Sequence, residues 1–289
     1  MKLTLHERSE ILLQRRIQGL NSRETINFIF MGDSRGRGPE DNCFTMSGEF
    51  ENVLKKAVEL DPLFIIHGGD TVFTGEIAYL QHFVDVVERI APHIPMFVCV
   101  GNHDELFLLE SNLKNFQSTI GEVHWVIDIP QVDFRCIALN NVHSPVNATY
   151  GFTDAELNYL ERRLRKSPRN TTLAMHAQPN IGDWTGGFPV DSPDGQRFFD
   201  LIQKYCVKKV LVSHLHGYDE QFIRKNNDGT FTLGRGTDFV LTGGAGAELD
   251  FEHKLILNDF NFVEFFVNQH HISGPILWKD FGTPRRACL

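Results

Sequence analysis

The sequence predicts a single α/β domain with a β-rich C-terminal third. Apolar runs alternate with amphipathic stretches at helical spacing through the first two thirds, and hairpin-like runs without intervening helices follow residue 216. No repeat, low-complexity tract or linker interrupts the pattern. The 289 residues are 42% hydrophobic and 22% charged, the balance of a globular chain with a substantial core.

Taken in order, residues 1–25 read as a charged helical extension and residues 26–289 as the domain proper. "INFIF" is a buried strand, because its apolar residues leave almost nothing for water. A helix over 47–60 follows, with Phe50, Val53, Leu54, Ala57 and Val58 on one face. "LFIIHGGD" is the next strand, then a helix over 77–90, then the strand "MFVCVGNHDE". "TDAELNYLERRLRK" opens with Thr153 and Glu156 at capping-box spacing and reads as a helix. "TTLAMH" and "VKKVLVSH" are strands flanking a helix near 197–205. "EQFIRKNNDGTFTL" turns at Asn227, Asp228 and Gly229 as a hairpin, and "FVLTGG" and "FNFVEFFVNQH" are further strands.

Charge and cysteines narrow the function. The formal net charge is -9, from 37 acidic and 28 basic residues, which argues against general nucleic-acid binding. The opening "MKLTLHERSEILLQRRIQGL" is charged throughout, so neither a secretory signal nor a membrane anchor is expected. Five scattered cysteines without a CxxC pair suggest a reduced, cytoplasmic protein, with Cys99, Cys136 and Cys206 in the core.

The apolar runs share one peculiarity: each ends in polar residues. Asp33 follows "FIFMG", Asp70 follows "FIIHGG", and Asn102, His103 and Asp104 follow "FVCVG". His176 follows "TLAM", and His214 and His216 follow "VLVS". In open α/β sheets the functional crevice lies at the carboxyl ends of the strands, so these side chains can converge. Aspartate, asparagine and histidine are oxygen and nitrogen donors suited to Mn, Fe, Zn or Ni.

"GDSR", "GGD", "GNHD", "MH" and "SHLH", in that order, resemble the signature of the calcineurin-like metallophosphoesterases; the glycine-rich "VLTGGAGAEL" also looks like a family feature. The resemblance implies two mixed β-sheets packed face to face, helices outside, and two divalent or trivalent transition-metal ions at the strand ends. It assigns Asp33 and His216 to the first metal, Asp70 as the bridge, and Asn102, His176 and His214 to the second. His103 would lie beside the leaving-group oxygen as general acid, while a metal-bridging hydroxide attacks a phosphate mono- or diester. A neutral histidine donates a proton poorly, so His103 would need to be protonated as substrate binds. A phosphorylated small molecule or nucleotide is the expected substrate. A catalytically degraded member serving as an interaction module is the alternative.

Two positions depart from the family pattern. Many members carry a histidine where this chain has Arg35, and a guanidinium has no acceptor with which to hold a metal. Arg35 is either a fork for the substrate phosphate, helped by Arg37, or half of a structural ion pair. Phe73 stands where protein Ser/Thr phosphatases carry an acid and purple acid phosphatases an iron-binding tyrosine, so neither subfamily is indicated. Elsewhere, Asn140, Asn141 and His143 can line the cleft, and His67 and His124 read as packing or surface residues. The glycine- and proline-rich loop at 180–195 suits a lid, with Trp184 either stacking on a substrate or anchoring the loop.

Overall fold

The computed structural model describes residues 3–21, 24–105, 113–144 and 149–279; the side chains of His143 and Ser144 lie outside the described part. Its strands are β1 (Ile26–Met31), β2 (Phe64–His67), β3 (Met96–Val98), β4 (Val126–Ile129), β5 (Phe134–Ala138), β6 (Val142–Ser144), β7 (Thr149–Tyr150) and β8 (Asn170–Ala174). They continue with β9 (Pro179–Asn180), β10 (Phe188–Pro189), β11 (Lys209–Val212), β12 (Tyr218–Lys225), β13 (Phe231–Leu233), β14 (Thr237–Thr242), β15 (Asn261–Val267) and β16 (Ile272–Lys279). The helices are α1 (Leu5–Ile17), α2 (Gly48–Glu59), α3 (Ile77–Ile90), α4 (Lys114–Thr119), α5 (Asp154–Leu164) and α6 (Pro193–Lys204).

Two mixed sheets result. One has five strands in the order β16-β15-β1-β2-β3, the other seven in the order β13-β12-β14-β11-β8-β5-β4. Alternation along β1 explains the layering: Phe28 and Phe30 point into the core between the sheets, while Ile29 and Met31 pack under α2 and α3. Phe28 is the centre of the inner core, with ring centroids 5.1 Å from Phe64, 5.4 Å from Phe134 and 5.0 Å from Phe265. A third cluster joins the outer face of the seven-stranded sheet to α5 and α6. The order is therefore helix, sheet, sheet, helix, as the resemblance implied. With apolar layers on both faces the central strands read as unbroken hydrophobic runs.

The N-terminal helix does more than present a solvated face. Thr4 and Glu7 close its start with a full capping box. Its inner side then seals the open edge of β3. Ser9 Oγ donates to Met96 O at 2.8 Å and accepts from Met96 N at 3.0 Å, and His6 Nε2 accepts from Val98 N at 2.9 Å. Trp125 Nε1 donates to Val98 O at 2.9 Å. Edge groups left bare would invite pairing with another chain, and here side chains occupy them.

Three sequence expectations need correction. Thr153 caps α5, but Glu156 does not return the bond and pairs with His124 at 2.6 Å instead. Cys206 is an exposed free thiol in the left-handed turn after α6, unlike the buried thiols Cys99 and Cys136. Cys43 is disulfide-bonded, which removes the support the cysteines lent to a cytoplasmic location. Strand β16, broken in sequence by Gly274 and Pro275, was not foreseen. Among the described residues no helix is long and apolar enough to cross a membrane.

Ser9→Ala should cost about 1–3 kcal/mol, because it strands a buried N–H and a buried carbonyl of β3. Urea unfolding should show a lower midpoint at an unchanged slope. An unchanged midpoint would mean that the helix does not hold this edge.

Candidate metal centre

β1, β2 and β3 of one sheet and β8 and β11 of the other end at the same rim. Three of the residues that follow them adopt left-handed backbone: Asp33 at φ 59°, Asp70 at φ 55° and His214 at φ 75°. Such conformations cost about 1–3 kcal/mol each outside glycine and persist where the surroundings over-determine them. The surroundings here are main-chain bonds between the loops. Asp33 N donates to Gly69 O at 3.0 Å, and Arg35 N donates to Asp70 O at 3.1 Å. Across the sheets, His214 N donates to Asp33 Oδ2 at 2.9 Å. The two sheets come so close that a Cβ on Gly32 would lie 2.7 Å from Ser213 Cβ, and one on Gly68 2.3 Å from Ser213 Oγ. Only glycine fits at either place.

The side chains meet in two groups. His176 Nε2 lies 2.9 Å from Asn102 Oδ1, 3.1 Å from His214 Nδ1 and 3.5 Å from Asp70 Oδ1. His216 Nε2 lies 3.5 Å from Asp33 Oδ1, a fully buried oxygen with no hydrogen-bond partner. The opposite ring nitrogens are occupied: His176 Nδ1 is 2.9 Å from Gly68 O, and His216 Nδ1 is 2.5 Å from Glu248 O. Donation to these carbonyls leaves each Nε2 as an acceptor. Each group thus gathers ring nitrogens and side-chain oxygens able to ligate a cation. The donor set fits metal cations.

The charges agree with that fit. Burial alone would raise Asp70, but His176, His103 and Arg35 outweigh it and hold the carboxyl below its ordinary range. Burial would likewise raise Asp33, and the nearby His216 and His176 bring it below. Burial and the neighbouring His176 push His214 down to about 3, so it is neutral and ready to coordinate. Asp70, His176 and His214 alone already form a compact candidate metal-binding group.

A family model for calcineurin-like phosphoesterases matches residues 16–218. The chain belongs to the calcineurin-like phosphoesterases. That family is metal-dependent, and this chain carries a candidate metal-binding group. No curated protein matches it in sequence. A purple acid phosphatase from yellow lupin (Lupinus luteus) seeds shares its fold, with a TM-score of 0.60 and 18% identity over 84% of this chain and 49% of that one. GAP50 of Plasmodium, described as an anchor in the inner membrane complex, gives 0.55 and 10% over 86% and 82%. A putative 5'-nucleotidase from Staphylococcus aureus gives 0.52 and 13% over 89% and 54%. The chain spans about half the length of the lupin and Staphylococcus proteins.

In this chain His103 lies apart from the group around His176 Nε2. Its amide donates to Asp70 Oδ1 at 2.9 Å, and its Nδ1 is 2.7 Å from Phe73 O. The main-chain carbonyl of Phe73 thus supports the imidazole at the position where related phosphatases use an acid. Burial, with Arg35 adding to it, keeps His103 below its ordinary value despite Asp70. Arg35 also touches this corner: its Cζ lies 5.7 Å from the Phe73 ring centroid and its Nε 3.6 Å from Asp70 Oδ2. That nitrogen makes no hydrogen bond. Arg37 is spoken for by Glu40 at 2.6 Å and Glu248 at 2.9 Å.

Other candidates resolve simply. Trp184 is fully buried and donates to Asp219 Oδ2 at 2.7 Å, so it anchors its loop. Asn141 is buried and clamps both main-chain groups of Ala177, beside His176; Asn140 bonds Val142 N at 3.0 Å. His67 is buried beneath the centre, 3.1 Å from Ser34 Oγ, and His124 is at the surface with Glu156. Tyr150, whose ring centroid lies 4.8 Å from that of His214, gave no signal in the sequence because it arrives from a different strand pair.

Asp104 gave a signal without a role. It accepts from Gly101 N, Asp70 N and Thr71 N, each at 2.8 Å, and from Thr71 Oγ1 at 2.5 Å. One carboxylate therefore ties the loop after β2 to the loop after β3. Asp104→Asn puts an N–H against these donors in either amide orientation and should cost about 1–3 kcal/mol. Metal content after dialysis against limiting metal should fall with it. A variant as stable and as metal-replete as the parent would show that the clasp does not shape Asp70.

Proposed function

We propose that the chain hydrolyses a phosphate ester at a two-metal centre. Asp33, Asp70 and His216 would hold the first ion, and Asp70, Asn102, His176 and His214 the second. The observation that carries this reading is the convergence of acceptor atoms around His176 Nε2, with Asn102, His214 and Asp70 within 3.5 Å. Nitrogen and oxygen donors of this kind suit Mn, Fe, Zn or Ni. When bound, such a pair of ions clamps the phosphoryl group and supplies an activated water nucleophile.

The protein's own groups do the rest. Asp70 would serve as a ligand to both ions, and His103 stands at the cleft with Nδ1 held by Phe73 O, leaving Nε2 to face a leaving-group oxygen. Its proton affinity is low in the free protein, so the arriving phosphate dianion must raise it before it can act as the acid. Arg35 is poised to share its guanidinium between Asp70 and a phosphate oxygen. A phosphorylated small molecule or nucleotide is the substrate class this geometry suits. Arg35 in place of a metal-binding histidine also favours a degraded centre kept as an interaction module, and one assay separates the two. Metal-reconstituted protein should hydrolyse p-nitrophenyl phosphate or bis-p-nitrophenyl phosphate, and Asp70→Asn should not; a bound metal without turnover of either ester would favour the module.

His103→Ala should retain its metal but slow hydrolysis of esters with poor leaving groups by about 10²–10⁴-fold. The loss should shrink for nitrophenolate, and metal lost together with activity would make His103 a ligand.

Arg35→Ala should lower kcat/KM with the metals in place. Arg35→His should bind the first ion more tightly while weakening phosphate binding. Full activity in Arg35→Ala would leave the ion pair with Asp70 as the residue's only task.

A further inference from the structure

The cleft over the centre encloses about 760 Å³, far more than a phosphate group fills. Its two halves differ. Arg35, His103, His214 and His216 form the floor. Glu40 and the segment Glu248, Leu249, Asp250, Phe251 and Glu252 form the outer wall with Arg37. The wall carries four carboxylates against one guanidinium, and that guanidinium is already shared by Glu40 and Glu248. Asp250 is engaged by His253 at 2.5 Å. The Glu252 carboxylate has no hydrogen-bond or ion-pair partner among the described residues. Beside it, Phe251 leaves 74% of its surface exposed, a large apolar ring lining the cleft.

An aromatic face flanked by carboxylates attracts an ammonium group and repels a second anionic one. The acidic wall does not define the site; the converging ligands and the buried, unpartnered oxygen of Asp33 do that. The wall decides which ester enters. We propose that the preferred substrate is a phosphomonoester whose alcohol carries a positive charge: phosphate on the floor, alkylammonium against Phe251 and Glu252. The proposal rests on the phosphoesterase reading above.

Three esters of similar size test it on the metal-reconstituted full chain: phosphocholine (cationic alcohol), glycerol phosphate (neutral) and 3-phosphoglycerate (anionic). The value of kcat/KM should fall in that order, by about tenfold or more from first to last. Phe251→Ala should lower it about fivefold for phosphocholine and less than twofold for glycerol phosphate, consistent with an ammonium–ring contact. Glu252→Lys should favour 3-phosphoglycerate over phosphocholine. Equal turnover of the cationic and anionic esters, or a ratio unmoved by both variants, would overturn the substrate assignment and leave the phosphoesterase reading intact. Failure to hydrolyse any of the three while p-nitrophenyl phosphate or bis-p-nitrophenyl phosphate is turned over would overturn the substrate assignment alone, and failure on all five esters would overturn both.

Discussion

Two carboxylates, Asp33 and Asp70, are buried at the rim where the sheets meet, and everything around them answers that burial. A buried carboxylate without compensation is among the most costly groups a fold can contain. Here the compensation comes from both sheets at once. His176 and His216 approach from the seven-stranded sheet, Arg35 and the His103 amide from the five-stranded one. Cations seated among these acceptors would complete the neutralisation. The left-handed turns, the bare glycines and the Ser213 contact follow from the need to bring two rims within touching distance.

The same constraint explains what could be read from the sequence. A strand buried on both faces shows as an unbroken apolar run, and a polar residue ending such a run stands out. Asp33, Asp70, Asn102, His103, His176, His214 and His216 were therefore visible by position alone, and the order of their motifs carried the family and the two-sheet architecture. Helices α2 and α3 were equally plain, since each has one apolar stripe over one face of a sheet. Residues that act across the fold were hidden. Nothing local distinguishes Tyr150 from any strand tyrosine, and Glu156 sat at a capping position while its carboxylate served His124. Strand β16 was masked by a glycine and a proline that an edge strand tolerates.

Arg35 and Phe73 show how a substitution at one position can be absorbed at another. The chain lacks the extra imidazole and the acid that its relatives place at these two sites. In their stead a guanidinium lies over an aromatic ring, and a peptide carbonyl accepts a hydrogen bond from the imidazole. Both replacements keep the polar geometry of the corner while moving charge from the metal side toward the cleft side. Arg35 thus sets a fixed positive charge beside Asp70 on the floor of the cleft, in contrast to the acidic outer wall.

The helix over β3 has a consequence for chain dynamics. By topology β3 is an edge strand, and amides on an edge ordinarily exchange with solvent hydrogen at the rate of local fraying. The Met96 and Val98 amides are instead bound by Ser9 and His6, more than eighty residues earlier in the chain. Their opening requires the helix to leave, so they exchange with the interior of the sheet. The segment ahead of the first strand thus belongs to the same cooperative unit as the loop that carries Asn102 and His103.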